Sequence, residues 1–429
     1  MRLHRNLVLA VIDGLLEIFN EGVYADKAVH KQLKRDKRWG SRDRGFIAET
    51  IYDIVRWKRL YAEIAEAKEP LDRKDLWRMF AVWCTLRGIK LPDWPQIEDT
   101  PTRRIKGRFD ELSNERKYRE SIPDWLDELG EKELGAKWDA EIAALNQQAP
   151  VVLRANRLKT DPASLKAILV EEGHETENLK KYKDALQLIE RGNVFSTKAF
   201  KDGLFEVQDA SSQLVAPFLG IEPGMRVIDT CAGAGGKTLH LAAQMDNKGQ
   251  IIALDIYGNK LKELKRRARR AGAHNIETRT IDSTKVVKKL HNSADRVLID
   301  APCTGLGVLS RNPDAKWKLK PDFVEKIKKI QQELLIDYSK MVKPGGKLVY
   351  ATCSILPSEN QEQIKKFLKT EIGSVFSIEK QKTVLCSESG YDGFYMCLLV
   401  KKEKQEVKPE IKPEDKQEEN KEEIQEEKN

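Results

Sequence analysis

The sequence predicts a mainly parallel α/β sheet covered by helices on both faces, preceded by an all-helical domain and a small α+β module. Three observations carry that reading. From Met225 onward, short β-rich apolar runs (MRVIDT, QIIALD, IETRTI, DRVLID, KLVYAT and FYMCLLV) alternate with helical segments, the pattern of strands buried on both faces. Residues 1 to about 145 instead show apolar spacing of three and four and hold seven of the eight tryptophans, which predicts a helical bundle. Between Val151 and Gln208 the pattern changes again. VVLRANRL alternates as a strand, Asp161-Pro162 caps a helix through Leu169, and strand-like pieces follow around Leu186 and Phe205.

The expected organisation is a helical domain over 1–145, an α+β module over 146–212, the sheet domain over 213–400 and a tail over 401–429. A chain of 429 residues is too long for one ordinary core, which agrees with this division. The tail is almost entirely Lys, Glu, Gln and Pro and is predicted to be disordered, because it has little apolar side chain to offset the entropy of ordering. No repeat of 20–50 residues is present. The apolar start LVLAVIDGLLEIF is interrupted by Asp13 and Glu17 at amphipathic-helix spacing, so it reads as neither a signal-peptide core nor a membrane span. A cytoplasmic monomer with no membrane partner is expected.

The six cysteines (84, 231, 303, 353, 386 and 397) include no CxxC pair, and their spacing fits neither a zinc site nor a disulfide framework. Reduced thiols are expected. Formal net charge is +8, but the tail holds eight Lys against eleven acids, leaving 68 basic and 57 acidic side chains before it, a surplus of 11. That excess suits a polyanionic partner.

VIDTCAGAGGKTLHLA reads as strand, glycine-rich turn and helix, with three glycines that let backbone amides approach a ligand. A phosphate-binding Walker loop needs glycine five positions before Gly236, where Cys231 stands. A dinucleotide fingerprint starting at Gly233 needs glycine at the position of Thr238. An S-adenosylmethionine pocket needs a tight turn for the methionine part and an acid ending the next strand for the ribose hydroxyls, and Asp255 closes QIIALD in that place. Asp282, after the third strand, is placed to accept from the adenine amino group. Three features at the carboxyl ends of successive strands match where open α/β sheets bind ligands.

The same rim carries DAPCTG (300–305) after the fourth strand and ATCS (351–354) after the fifth. A methyl donor beside a thiol fits cytosine chemistry, because carbon 5 of that ring is a poor nucleophile until a thiolate adds to carbon 6. Asp300 is the candidate to bond the ring nitrogen as charge develops, and a second thiol is useful for releasing the product. Chemistry alone does not decide which of Cys303 and Cys353 attacks, since either turn and Lys237 can favour a thiolate.

These residues form a pattern that resembles the RsmB-like, or Fmu/Sun-type, RNA cytosine-5 methyltransferases, whose bacterial prototype modifies small-subunit ribosomal RNA. The likeness covers roughly residues 150–400 through VQDASS, DTCAGAGGKT, LD, DAPCTG, RNPDAKW, ATCS and GYDGFY. The resemblance implies a Rossmann-like methyltransferase sheet, S-adenosyl-L-methionine as cofactor, Cys353 as nucleophile and Cys303 in product release. It places Lys237 and Asp300 around the target base. Cys231, Ala232, Gly233, Ala234, Gly235, Gly236, Lys237, Asp255, Lys260, Asp282 and Asp300 are implied to line the cofactor pocket. The family often has proline in the glycine loop where this chain has Gly233-Ala234, so the turn is expected to persist with more backbone freedom. SRDRGFIAETIYDIVRW (41–57) resembles the NusB-like helical RNA-binding domain of the bacterial members.

The target carbon of a stacked base is inaccessible, so an unpaired or outward-turned cytosine of ribosomal RNA is the expected substrate. Arg154, Lys159, Arg311, Lys316 and the Lys- and Arg-dense segment from Lys260 to Arg270 are candidate phosphate contacts, with Trp317 a candidate stacking platform.

Overall fold

The computed structural model describes residues 3–403; the disorder expected of the tail falls on residues outside these, apart from Lys401, Lys402 and Glu403. Helices Arg5–Phe19, Ala25–Leu33, Ser41–Arg56, Lys58–Ile64, Arg73–Leu86 and Thr102–Leu112 form the N-terminal bundle. Val8, Val11 and Leu15 recur at helical spacing on the first of them and meet Ile47, Ile51, Ile54, Leu76 and Phe80 in one core. Among the described residues no helix is long and apolar enough to cross a membrane.

Helices Asp124–Leu134 and Trp138–Leu145 do not join that core. Leu126, Trp138, Ile142 and Leu145 pack with Leu306, Leu309, Val324, Ile355 and Leu356 against the sheet domain. Buried Glu141 fixes them there by accepting from the amides of Cys386 at 2.8 Å and Ser387 at 2.9 Å. Helical periodicity shows that a segment has an apolar face but not which surface covers it.

The α+β module is a four-stranded antiparallel sheet of β1 (Val152–Ala155), β2 (Thr176–Asn178), β3 (Ala185–Leu188) and β4 (Phe205–Val207) in the order β2-β3-β1-β4. Its helix Pro162–Glu171 starts where Asp161 accepts from the amides of Ala163 and Ser164, with proline at the first helical position.

The large sheet contains β5 (Arg226–Asp229), β6 (Gln250–Asp255), β7 (Ile276–Thr280), β8 (Ala294–Asp300), β9 (Val342–Thr352), β10 (Phe376–Val384) and β11 (Phe394–Lys401). Their order is β10-β11-β9-β8-β5-β6-β7, with the five strands from β9 to β7 parallel and β10 and β11 antiparallel at one edge. Val227, Leu298 and Val349 face one apolar cluster, and their neighbours Ile228, Ile299 and Tyr350 face the other. Burial on both faces explains the continuous apolar runs. The order reverses at β5, so the turns after β5 and β8 diverge there and leave a crevice at the strands' carboxyl ends.

One segment, 311–318, joins the modules. Asp314 accepts from the amide of Ala25 at 3.0 Å, and Trp317 Nε1 donates to the Val55 carbonyl at 2.7 Å. Lys318 Nζ donates to the Val23 carbonyl at 2.8 Å, and just before the segment the Ser310 carbonyl accepts from Arg56.

Candidate active site

The glycine turn after β5 depends on residues without a Cβ. Gly233 has φ 55° and Gly235 φ 90°, conformations costly for other residues. A Cβ on Gly235 would stand 2.6 Å from Leu264 Cγ, which sets how closely the helix Gly258–Ala271 approaches the turn. Asp255, at the end of β6, accepts from the amides of Gly233 and Tyr257, both at 2.8 Å, and so joins the glycine turn to the start of the Gly258–Ala271 helix. At the end of β5, buried Asp229 accepts from Thr238 Oγ1 at 2.7 Å, while its Oδ1 has no well-formed hydrogen bond among the described residues. Burial, with the nearby Asp300 charge adding to it, pushes the Asp229 carboxyl up to about 7.

The Asp229 oxygen without a well-formed hydrogen bond, the open space beside Gly233 and Gly236, and the Asp255 carboxylate fit S-adenosyl-L-methionine, with backbone amides for its methionine part and an acid for its ribose. Ala232 is buried beside this turn, and the Ala234 carbonyl is held by Arg267 at 2.8 Å. Cys231 packs toward the apolar cluster on one sheet face, and burial raises its thiol far above the ordinary range. Lys260 lies on the exposed surface with its ammonium 4.6 Å from the Tyr257 ring centroid, and Asp282 is exposed just past β7.

The two turns after β8 and β9 bring Cys303 and Cys353 to an Sγ–Sγ distance of 3.3 Å. The Cys303 thiol is pushed well above its usual value, chiefly by its hydrogen bond with Cys353 and then by burial. Across the crevice Lys237 Nζ donates to Asp300 Oδ2 at 2.7 Å. Burial would lower that ammonium, but the charge and hydrogen bond of Asp300 outweigh it, and Cys353 adds in the same direction, so Lys237 stays protonated. Its Nζ lies 5.1 Å from the Phe394 ring centroid.

Buried Glu359 holds both thiol turns and buried Asn360 holds that of Cys353, and the sequence reading missed them. Glu359 accepts from the Thr304 amide at 2.9 Å, the Thr304 and Ser354 hydroxyls and Gln331 Nε2, while Gln331 also bonds the Pro302 carbonyl. Asn360 accepts from Thr352 Oγ1 and donates to the Ser354 carbonyl. The available signal was the acid-amide pair a few residues beyond ATCS. Gly307, whose amide donates to the Cys353 carbonyl at 2.9 Å, approaches Gly393 too closely for any Cβ, which explains the glycine in GYDGFY.

The candidate RNA contacts require correction. Arg154 is buried and donates to Gln208 and, at 2.7 Å, to the Gly236 carbonyl behind the glycine turn. Lys159 donates to the carbonyls of Asp202 and Arg270, each at 2.7 Å, tying the α+β module to the Gly258–Ala271 helix. Arg311 bridges Asp209 and Asp392, and Lys316 is fully buried on Asn146 and the Glu120 carbonyl, its pKa well below the usual value because of burial. Trp317 is committed to the bundle through Val55. On the basic helix, Arg267 and Arg270 turn inward to Glu206, while Lys262, Lys265, Arg266 and Arg269 face outward. A count of cations does not separate those facing water from those consumed by internal carbonyls and carboxylates.

Residues 216–400 match the family described as 16S rRNA methyltransferase RsmB/F, and residues 122–195 match the RsmF/B-like ferredoxin-like domain. The chain is 34% identical over 337 residues to the "Probable ribosomal RNA small subunit methyltransferase B" of Bacillus subtilis strain 168, covering 74% of this chain and 72% of that one. The ribosomal RNA small subunit methyltransferase B of Escherichia coli O6:K15:H31 is 33% identical over 325 residues, covering 73% and 75%. The crystal structure of PH0851 superposes with a TM-score of 0.78 at 26% identity over 93% of this chain and 99% of that one. NSun6 from Pyrococcus horikoshii with SFG shares the fold, with a TM-score of 0.61 at 20% identity over 66% of this chain and 99% of that one. With this rim, this cofactor cradle and these relatives, the chain belongs to the 16S rRNA methyltransferase RsmB/F family and is an S-adenosyl-L-methionine-dependent RNA methyltransferase.

Proposed function

We propose that the chain methylates carbon 5 of a cytosine in small-subunit ribosomal RNA through a covalent bond to Cys353, acting as a monomer in the cytoplasm. The observation that carries this reading is the pair of thiols 3.3 Å apart beside the Lys237–Asp300 pair, a combination for which simple methyl transfer to oxygen or nitrogen has no use. The relatives named for small-subunit ribosomal RNA support the substrate.

S-adenosyl-L-methionine supplies a methyl group made electrophilic by its sulfonium. Cys353, as thiolate, forms a bond to carbon 6, and the displaced electron density reaches carbon 5 and the ring nitrogen. As negative charge builds on the ring nitrogen, Asp300 relays to it a proton from its Lys237 partner, and the proton returns along the same pair when the ring is restored. Carbon 5 then takes the methyl group. Once Cys353 is bonded to carbon 6 it no longer raises Cys303 through their hydrogen bond, and the Cys303 thiol loses its proton to water; the Cys303 thiolate then takes the carbon 5 proton, the electron pair restores the ring double bond, and the Cys353–carbon 6 bond breaks to return the thiolate. Glu359 and Asn360 keep both thiols on the same ring.

The test uses RNA transcripts, labelled cofactor and denaturing gels. Cys353→Ala is expected to form neither product nor adduct. Cys303→Ala is expected to accumulate protein-bound RNA that survives denaturation. The reading fails if Cys353→Ala retains normal turnover, or if nucleoside mass spectrometry places the methyl group anywhere other than carbon 5.

A further inference from the structure

A groove of about 420 Å³ separates the α+β module from the antiparallel edge of the large sheet. One wall, the connection between β2 and β3, carries Lys180, Lys181 and Tyr182; the opposite wall, edge strand β10, carries Lys382 and Val384. The three lysines are exposed, and none has a hydrogen bond or ion pair among the described residues. The acid in the lining, Glu388, is bonded to Lys137 at 3.2 Å. The Tyr182 and Tyr391 rings meet edge to face at 5.3 Å in the groove wall, with the Tyr391 hydroxyl anchored on Gln187.

The sheet wall of the groove ends one strand away from the catalytic crevice. Val384 pairs with Phe394 across β10 and β11, and the Phe394 ring carries the Lys237 ammonium 5.1 Å above it. Lysine on an edge strand also deters sheet-to-sheet pairing, and that alone would account for Lys382. It does not account for Lys180 and Lys181, which face the strand from a different module. Positive groups converging from two sides, with aromatic faces between them, match the phosphates and bases of a single strand.

We propose that this groove seats the single-stranded RNA flanking the target cytosine, so that the strand passes over Tyr182 and Tyr391 toward Cys353. The proposal rests on RNA cytosine as substrate. The outward cations of the Gly258–Ala271 helix lie beside β6 and β7, toward the opposite edge of the sheet, and are outside this path.

The test compares two triple variants, Lys180→Glu/Lys181→Glu/Lys382→Glu and Lys262→Glu/Lys265→Glu/Arg269→Glu. Binding of a fluorescein-labelled single-stranded RNA of about 12 nucleotides is followed by anisotropy across a salt series. Each single-strand phosphate contact contributes about 0.7 to the salt slope, so the groove variant is expected to lose about 2 units of slope. Its KM for RNA is expected to rise about tenfold while kcat at saturating RNA and cofactor affinity hold; the unchanged cofactor affinity shows that the variant is folded. Unchanged slope and KM in the groove variant, or losses confined to the helix variant, overturn the proposal. If the wild type makes no 5-methylcytosine but its RNA binding still depends on the groove lysines, the reaction assigned above fails and the groove stands.

Discussion

Asp229 is a carboxyl group buried at the end of β5, bonded through one oxygen to Thr238, while its Oδ1 has no well-formed hydrogen bond among the described residues. Burial, its largest cause, raises its pKa from 3.8 to about 7. In the unfolded chain the group ionises near pH 4, whereas in the fold it keeps its proton to about 7. Between these values the native state binds more protons, so stability falls as pH rises, by at most about 4 kcal/mol, and is flat above. Denaturant unfolding of the protein without cofactor, followed from pH 4 to 8, is expected to show that decline, and Asp229→Asn is expected to flatten it. Equal pH slopes in the two proteins would refute the assignment. Other residues show how far chemistry can be read from sequence. Asp300, Cys303 and Cys353 were legible because two small-residue turns after buried strands had no other use for sulfur and acid. Glu359 and Asn360 were not, because PSEN reads as a surface turn until the fold buries it under both thiols.

The glycine turn and the Gly258–Ala271 helix act as one element, because Gly235 sits against Leu264. Gly235→Ala adds left-handed strain of about 1–2 kcal/mol and a Cβ overlapping a side chain that is itself in the core. Gly236→Ala meets nothing within 4 Å. Thermal melts are expected to drop several degrees for the first and stay close to wild type for the second; similar melts would show that the helix yields. Strands β5, β6, β8, β9 and β11 were readable because burial gives them apolar runs with helical spacers, and the half-buried edge strand β7 because its β-branched residues fall between two helical segments. Strand β10 escaped the reading, since seven of its nine residues are exposed and FSIEKQKTV carries no periodic signal. With it went the antiparallel edge, and therefore one wall of the groove.

Across the whole molecule, RNPDAKW was legible as a motif but misread in purpose. Its cations and its tryptophan fasten the helical bundle and the α+β module to the sheet domain, through Arg311 on Asp209 and Asp392, Lys316 on Asn146, and Trp317 on Val55. A motif shows that residues matter without showing whether the partner is substrate or protein. Removing the indole of Trp317, which packs half-buried against the bundle core and donates to Val55, is expected to cost about 2–3 kcal/mol at that junction. Calorimetry of Trp317→Ala is expected to resolve the bundle melting below the sheet domain, with cofactor affinity intact. A single transition at the wild-type temperature would show that the modules are held together elsewhere.

The same junction constrains how the protein is made. The bundle's core closes by Ile105, but the residues that cover its docking face end at Lys318. During synthesis at about 5–20 residues per second, the intervening ~200 residues take roughly 10–40 s. For that interval a nascent chain exposes a finished helical unit whose backbone carbonyls at Val23 and Val55 await donors that have not yet been translated.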